Sequence, residues 1–342
     1  MIRVAINGFG RIGRAFLKVA MKRPEIEIVA VNDLGDVENM AYLLKYDSVY
    51  HKSDLNIKAV TGSEPALEID GKHVKFISQK DPSLLPWKDL NIDVVVESTG
   101  LFAGYEKAKV HLTAGAKKVV ISAPVKDETS GGLKGATVLL GLNEEKFKDC
   151  VISSNASCTT NAASPLIAIL DESIGIEKAI LNTVHGYTAS QALVDGPAKR
   201  GWREGRSAAE NIVPSSTGAA VAVTKAFPKL DKLFDGISIR VPVLAGSIVD
   251  VTFIAKRQTS ADEVNDILRK AAENPRWKGI FTANDEELVS SDILGSPYAS
   301  IADLTMTRVV GGNLVKVMAW YDNEMGYTYT LVEHVIKIWN CV

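Results

Sequence analysis

The sequence predicts an α/β protein of two domains, a doubly wound parallel sheet followed by a second domain of α+β type. Three observations carry this. The first half alternates short β-rich runs with helical segments, as a parallel sheet covered by helices requires. The second half changes texture to longer β-rich stretches separated by helices. At 342 residues the chain is long for one ordinary domain and right for two, taking roughly 150 residues per domain. Each half can then bury its own core.

Taken in order, residues Arg3 to Asn7 read as a strand, and "GFGRIG" turns into "RIGRAFLKVAMKRP", where Ile12, Phe16 and Val19 or Ala20 fall at helical spacing before Pro24. A second strand, "EIEIVAVN", ends at Asn32. "DVVVES", "KKVVISAP" and "ATVLLGL" are further short β-rich runs. In the second half "AILNTVHGY", "DGISIRVPV", "SIVDVTFIAKR" and "LVKVMAWYD" are the strand candidates. One helix there is explicit: Ser260 and Glu263 make an S-x-x-E capping box, and Val264, Ile267, Leu268 and Ala271 form an apolar stripe ahead of Pro275. Between His185 and Pro214 runs a glycine-rich, charged segment, "DGPAKRGWREGRSAAEN", longer than compact domains usually leave irregular. Long ordered loops tend to carry function or interfaces.

An apolar share of 46%, a charged share of 23% and a formal net charge of -2 describe a soluble globular protein without the basic excess that nucleic-acid binding calls for. The start, "MIRVAINGFG", lacks the length and order of a secretory signal, and every apolar run is interrupted short of membrane-spanning length. The expectation is a cytoplasmic protein with no membrane association and no primary nucleic-acid partner. Its cysteines, Cys150, Cys158 and Cys341, show neither the density of a disulfide framework nor the C-x-x-C pairing of a zinc site. Free thiols in a reducing compartment, and no metal, are expected.

Gly8, Gly10 and Gly13 form G-x-G-x-x-G, a weak signal alone and a stronger one in this context. The triplet follows a predicted strand, opens a predicted helix and precedes Asp33, which stands after the next strand, 20 positions beyond Gly13. Such glycines let backbone approach a pyrophosphate at the positive end of the helix, while the carboxylate accepts hydrogen bonds from the adenosine ribose; the sheet is then of Rossmann type. The plain alternative is a tight strand-to-helix turn with an ordinary loop aspartate. The Asp33 charge repels a ribose 2′-phosphate, and Leu34, Gly35 and Asp36 supply no cation to offset it, so NAD is favoured over NADP.

"SNASCTTN", Ser154 to Asn161, surrounds Cys158 with small polar residues, a setting that suits a reactive thiol better than core packing. The run "SCTTNAASPLIAIL" places Cys158 at or near a helix N-terminus, with Pro165 a point of kinking. Free N–H groups and the helix dipole favour thiolate there, lowering a pKa that starts near ~8.5. His185, in "VHGYT", ends a β-like run beside a glycine, where its ring can pair with the thiolate and act as acid or base. A lone cysteine or histidine is more often structural, and spacing by itself does not join these two. Arg203 and Arg206 lie in the long segment and Arg240 near a strand end. The arginine fork suits phosphate, though surface arginines commonly pair with carboxylates.

"INGFGRIGR", "VND", "SNASCTTN", "HGYTASQ", "DGPAKRGWREGR", "PSSTGAA", "RVP" and "WYDNEMGY" resemble, in the same order, the signatures of the phosphorylating glyceraldehyde-3-phosphate dehydrogenase family, from residue 2 to about residue 327. The resemblance implies oxidation of D-glyceraldehyde 3-phosphate with NAD and inorganic phosphate to 1,3-bisphosphoglycerate. The route runs through a thiohemiacetal and a thioester on Cys158, with His185 as acid and base. It also implies a homotetramer. By the same resemblance an NAD-binding Rossmann domain covers residues 1–157, completed by a C-terminal helix over 324–342, and a catalytic domain covers 158–323. "TLVEHVIKIW", with Leu331, Val335 and Ile338 at helical spacing, fits that final helix.

Matched motif by motif, Arg11, Ile12 and Asp33 are expected to hold NAD beside Gly8, Gly10 and Gly13, with Lys80 in "QKDP" and Ser122 in "ISAP" lining its site and Asn323 in "YDNE" meeting the nicotinamide carboxamide. Thr188 and Arg240 match the site for the substrate's own phosphate; Ser157, Thr159, Thr217 and Gly218 match that for the attacking phosphate, with Arg206 assisting. Three departures stand out. Ala162 replaces a second cysteine four residues after the nucleophile, which should spare catalysis. Val243, Leu244 and Ala245 follow "RVP" in place of Thr-Pro-Asn, which bears on local packing and subunit contacts. Glu204 stands where many bacterial relatives have arginine, which is expected to weaken attacking-phosphate binding. The related erythrose-4-phosphate dehydrogenase shares the cofactor and cysteine motifs, but Tyr187 and Thr188 in "HGYT" are like the triose enzyme. A redox-sensing or RNA-binding protein on the same fold and a Cys-His hydrolase are the remaining readings, and the last leaves the glycine triplet unexplained.

Overall fold

Strand Ile2–Asn7 sits at the centre of a nine-stranded sheet because it is apolar on both faces, with Ile2, Val4, Ala5 and Ile6 all buried. The structure is a computed structural model and describes residues 1–127, 129–198 and 201–341. Two parallel neighbours flank the first strand, Ile26–Asn32 on one side and Val94–Glu97 on the other. Beyond Val94–Glu97 the parallel order continues through Lys118–Ile121, Ile152–Ser154 and Gly135–Thr137. Beyond Ile26–Asn32 it reaches Lys72–Ile77 and turns antiparallel at Ala66–Ile69 and Ile57–Val60. Strand order reverses about the first strand, so its C-terminal end marks the switch point where such sheets take ligands.

Helix Arg11–Ala20 buries Phe16, Val19 and Ala20 of its predicted stripe, while Ile12 stays partly exposed. Of "ATVLLGL" only Ala136 and Thr137 lie in strand Gly135–Thr137, with Val138 adding one more bond to the Ser154 carbonyl at 3.0 Å; at Leu139 the Asn143 side chain accepts from the N–H at 2.8 Å and the chain turns. Helix Met325–Asn340 carries Leu331, Val335 and Ile338 with no exposure. The chain clusters as two units: Met1–Val138, Glu144–Ala156 and the stretch from Thr328 onward in one, Leu139–Asn143 and Ser157–Tyr327 in the other.

The second unit is built on a seven-stranded mixed sheet, in the order Val213–Ser216, Phe234–Val241, Ile176–Gly186, Ser247–Ala255, Leu314–Tyr321, Ser300–Val310 and Phe281–Asn284. Period-two alternation sets its faces. Leu181, Val249, Val251, Phe253, Val315 and Val317 join the core under the helices, while Ile180, Thr252, Leu314 and Lys316 alternate to the other side. Helices Cys158–Ser173, Ala219–Ala226 and Ala261–Ala272 cover the core face through Leu166, Leu170, Val223, Val264 and Leu268. Pro165 lies inside the first of these, which runs on because every residue from Thr159 to Asp171 is buried, outweighing the about 3 kcal/mol that an interior proline costs. Helix Ala261–Ala272 starts as its capping box predicts, with the Ser260 hydroxyl accepting from the Glu263 N–H at 3.2 Å. The segment from Tyr187 to Ile212 is irregular apart from a 3-10 turn at Trp202–Gly205; its Lys199 and Arg200 lie outside the described residues.

Candidate active site

In the first unit the chain leaves strand Ile2–Asn7 through Gly8, whose φ of +96° lies in the region glycine favours and where a Cβ would stand 2.6 Å from the Thr99 nitrogen. A Cβ on Gly13 would come 2.2 Å from the Gly8 carbonyl, so the helix packs directly against the strand end. Gly10 differs. It is the N-cap of helix Arg11–Ala20, and nothing lies within 4 Å of the position its Cβ would take. Clear space at a helix N-terminus is the fit a pyrophosphate needs. Asp33 follows strand Ile26–Asn32, and its carboxylate accepts from the Phe9 N–H at 2.7 Å and the Gly35 N–H at 2.9 Å. That fixes it beside the glycine loop, and a carboxylate has further lone pairs for ribose hydroxyls. These residues fit a dinucleotide. Arg11 pairs with Asp47 at 2.6 Å, Ser122 donates to the Glu97 carbonyl at 3.1 Å, and Lys80 is exposed beyond strand Lys72–Ile77.

In the second unit Ser157 caps helix Cys158–Ser173, its hydroxyl accepting from the Thr160 N–H at 3.1 Å, so Cys158 is the first helical residue. Just before it, Ala156 turns the chain at φ +55°, an unusual conformation for a residue with a Cβ. His185 follows Leu181 and Thr183 on the helix-covered face of strand Ile176–Gly186, which brings its Nε2 to 3.4 Å from Cys158 Sγ. Spacing cannot join these residues; the packing of helix on sheet does. His185 Nδ1 lies 2.6 Å from the Gly186 carbonyl and 2.6 Å from Nη1 of Arg240, its cross-strand neighbour.

Burial pushes His185 down to about 3, and the Arg240 charge adds to that. Burial also pushes the Cys158 thiol up, against the pull of Arg240 and the Thr159 N–H. The expectation of a lowered thiol pKa therefore does not hold for Cys158 taken alone, because desolvation exceeds the helix-terminus effect. Cys158 keeps partial exposure, so the push is less than a sealed thiol would feel. Either charge alone is disfavoured, whereas passing the thiol proton to His185 creates opposite charges 3.4 Å apart that stabilise each other. The pair titrates as a unit.

Tyr321 braces this pair from behind. Its hydroxyl bonds Thr159 Oγ1 at 2.9 Å and Thr183 Oγ1 at 2.8 Å, and its ring meets that of His185 edge-on. Burial raises its phenol above the usual range, so it stays neutral. The residue lies within "WYDNEMGY", but a tyrosine at the end of an apolar strand reads as core and gave no separate signal. Asn323 Oδ1 accepts from the Gly246 N–H at 3.0 Å and from Ser247 Oγ at 3.2 Å, which leaves its Nδ2 to donate.

Cys158, His185 and Arg240 come together. Of the other expected phosphate ligands, Thr188, Arg206, Thr217 and Thr159 have hydrogen-bond partners within the chain. Thr188 Oγ1 shares a hydrogen bond with Ser190 Oγ at 3.1 Å, and exposed Arg206 pairs with Asp195 at 2.8 Å. Thr217 accepts from the Ala219 N–H at 3.2 Å, beside exposed Gly218 at the head of helix Ala219–Ala226, and the Thr159 hydroxyl turns inward to Tyr321. Glu204 accepts from Ser215 Oγ at 3.1 Å. Where Thr-Pro-Asn is replaced, the Val243 carbonyl accepts from the Tyr187 N–H at 3.1 Å; a Cβ on Gly186 would crowd that carbonyl at 2.9 Å. The replaced segment thus keeps a backbone link to Tyr187, just beyond the strand end that carries His185. Among the described residues no three His, Cys, Asp or Glu side chains gather to hold a metal ion, and no helix is long and apolar enough to cross a membrane.

Residues 2–105 match the family model of the glyceraldehyde 3-phosphate dehydrogenase NAD binding domain, and residues 157–323 match that of the glyceraldehyde 3-phosphate dehydrogenase C-terminal domain. The glyceraldehyde-3-phosphate dehydrogenase of Thermotoga maritima is 48% identical over 336 residues, 97% of this chain and 98% of that one. Glyceraldehyde-3-phosphate dehydrogenase 2 of Streptomyces avermitilis is 44% identical over 99% of both chains, and glyceraldehyde-3-phosphate dehydrogenase 1 of Candida glabrata is 44% identical over 98% of both. Identity at this level, sustained over nearly the whole length and spanning both units, makes the chain a member of the glyceraldehyde 3-phosphate dehydrogenase family.

Proposed function

We propose that Cys158 and His185 carry out the phosphorylating oxidation of D-glyceraldehyde 3-phosphate to 1,3-bisphosphoglycerate. The protein is an NAD-dependent oxidoreductase. The observation that carries the assignment of the pair is the 3.4 Å approach of Sγ and Nε2 at a helix N-terminus.

Cys158 Sγ attacks the aldehyde carbon while its proton passes to His185 Nε2, giving a thiohemiacetal. The Cys158 N–H donates to the oxygen that gains charge, and the protonated imidazole hands that oxygen its proton, which leaves His185 neutral. NAD, when bound, supplies the hydride acceptor. By the family resemblance Gly8, Gly10, Gly13, Arg11, Ile12 and Asp33 would hold it, Lys80 and Ser122 would line its site, and Asn323 would meet its carboxamide. His185 takes the hydroxyl proton as the C–H bond breaks, leaving a thioester on Cys158. A phosphate oxygen then attacks the thioester carbon and the sulfur leaves.

Arg240 and Thr188 take the substrate's own phosphate, and the position of Arg240 beside His185 supports its part in this. Ser157, Thr159, Thr217, Gly218 and Arg206 serve the attacking phosphate. Arg206 exchanges its Asp195 partner to do so, and the nearby Glu204 charge works against the anion. NADH formation from glyceraldehyde 3-phosphate, with and without phosphate and beside erythrose 4-phosphate, tests the reading. Repeated turnover should need phosphate and prefer the triose; preference for erythrose 4-phosphate without phosphate dependence overturns it.

We also infer a cytoplasmic homotetramer. Free cysteines suit a reducing compartment. The uncovered face of the seven-stranded sheet exposes Ile180 at 59%, Ile237 at 51% and Leu314 at 43%, apolar surface that suits association. Sedimentation should give four times the 36.9 kDa chain mass, and a monomer would refute the assembly.

A further inference from the structure

Beneath the glycine loop, wholly within the first unit, runs a buried chain of hydrogen bonds that the reaction scheme does not use. It starts at Glu97, the last residue of strand Val94–Glu97 and 1% exposed. One carboxylate oxygen accepts from the Thr99 N–H at 2.8 Å and from the Thr99 hydroxyl. The other accepts from Asn7 Nδ2 at 2.6 Å and His111 Nε2 at 2.9 Å. Trp87 Nε1 donates to His111 Nδ1 at 3.1 Å, which fixes the tautomer: Nδ1 accepts, so the ring proton sits on Nε2 and points at Glu97. His111 and Trp87 are sealed from solvent. Burying a carboxylate is costly, and an apolar side chain would fill the space with less penalty.

What this cluster holds is the approach to the cofactor residues. Asn7 immediately precedes Gly8, and its Oδ1 accepts from Asn32 Nδ2 at 2.7 Å. Asn32 immediately precedes Asp33 and also spans to Gln79, accepting from its N–H at 2.9 Å and donating to its carbonyl at 3.0 Å. Thr99, on the other arm of Glu97, abuts Gly8 at the spot a Cβ would fill. The Asp33 carboxylate closes the circuit on the Phe9 N–H.

We propose that Glu97 and His111 are positioning residues for the dinucleotide, fixing through Asn7 and Asn32 the distance between the Gly8–Gly10 loop and Asp33. This rests on the reading that the loop and Asp33 hold NAD. Because the loop takes the pyrophosphate and Asp33 the adenosine ribose, the effect belongs to the ADP-ribose end of the ligand.

The test is calorimetric titration of the folded protein with NAD and with ADP-ribose, well below its unfolding temperature. Glu97→Gln keeps the shape but turns an NH2 group toward existing donors, so one arm of the cluster is lost. Dissociation constants for both ligands should rise by the same factor, about tenfold, the effect of one hydrogen bond. His111→Gln, whose amide still accepts from Trp87 and donates to Glu97, should stay within about threefold of the parent. Should Glu97→Gln not fold, Asn7→Ser carries the same test, since it leaves Glu97 and His111 paired and cuts the link to Asn32. Unchanged constants in a folded variant, or a loss seen with NAD alone, overturn the proposal. Asp33→Ala separates the two ways of failing. If it weakens both ligands while the cluster variants do not, only the positioning role falls; if it too has no effect, the reading of the cofactor site falls with it.

Discussion

Cys158, at the head of helix Cys158–Ser173, and His185, near the end of strand Ile176–Gly186, share a proton across the 3.4 Å between Sγ and Nε2. Small polar neighbours and a capping serine mark the thiol at short range. The histidine arrives 27 residues later on another element, and only the shared face of helix and sheet brings it to 3.4 Å. Arg240 joins through strand register, and Tyr321 through hydroxyls that periodicity cannot show. Glu97 and His111 are equally hidden, since a buried polar cluster assembled from separate elements leaves no motif. At this scale the proton-sharing pair makes a definite prediction. His185→Asn removes the acceptor of the thiol proton while burial still holds the thiol pKa up, so kcat should fall by about 10²- to 10⁴-fold. Alkylation of Cys158 by iodoacetamide at neutral pH should slow in parallel. A variant that alkylates at the parental rate would mean the thiol ionises without the imidazole.

Elements with strong apolar runs were legible, and those defined by tertiary packing were not. Strands Ile2–Asn7, Ile26–Asn32 and Ser247–Ala255 follow their runs closely, and helix Ala261–Ala272 begins at its capping box. Helix Ala219–Ala226 carries little helical pattern because all its residues but Lys225 are small or β-branched, and strand Ser300–Val310 carries little strand pattern because Asp303, Thr305 and Thr307 dilute its apolar residues. Helix Met325–Asn340 holds a buried group with a measurable consequence. His334 meets Ser153 Oγ through Nε2 at 2.6 Å and Asn155 Oδ1 through Nδ1 at 3.1 Å, and burial lowers its pKa from 6.5 to about 3. The folded value lies below the unfolded one, so between these limits the unfolded chain binds the extra proton. The contribution is complete above the unfolded pKa and is lost as pH falls toward the folded one. Urea unfolding from pH 7 to pH 4 should therefore lose up to about 1.4 kcal/mol per pH unit more in the parent than in His334→Gln. Equal slopes would show that the histidine is not held neutral.

At the scale of the molecule, each unit folds around its own sheet, and each carries one half of the proposed chemistry: the dinucleotide loop with Asp33 in one, the thiol with its imidazole and Arg240 in the other. Motif order along the chain made this division of labour readable. The proposed phosphate ligands were less so, because Thr188, Thr217 and Arg206 each already have a hydrogen-bond partner within the chain and no arrangement around a common anion marks them. The central claim is covalent capture of the acyl group by Cys158, and rapid mixing with NAD and glyceraldehyde 3-phosphate in the absence of phosphate tests it most directly. The account predicts a burst approaching one NADH per Cys158, an acyl adduct on that residue by mass spectrometry, and its release when phosphate is added; Cys158→Ser should give none of these. Steady NADH formation with no adduct, or an adduct on Cys150 or Cys341 instead, would contradict it.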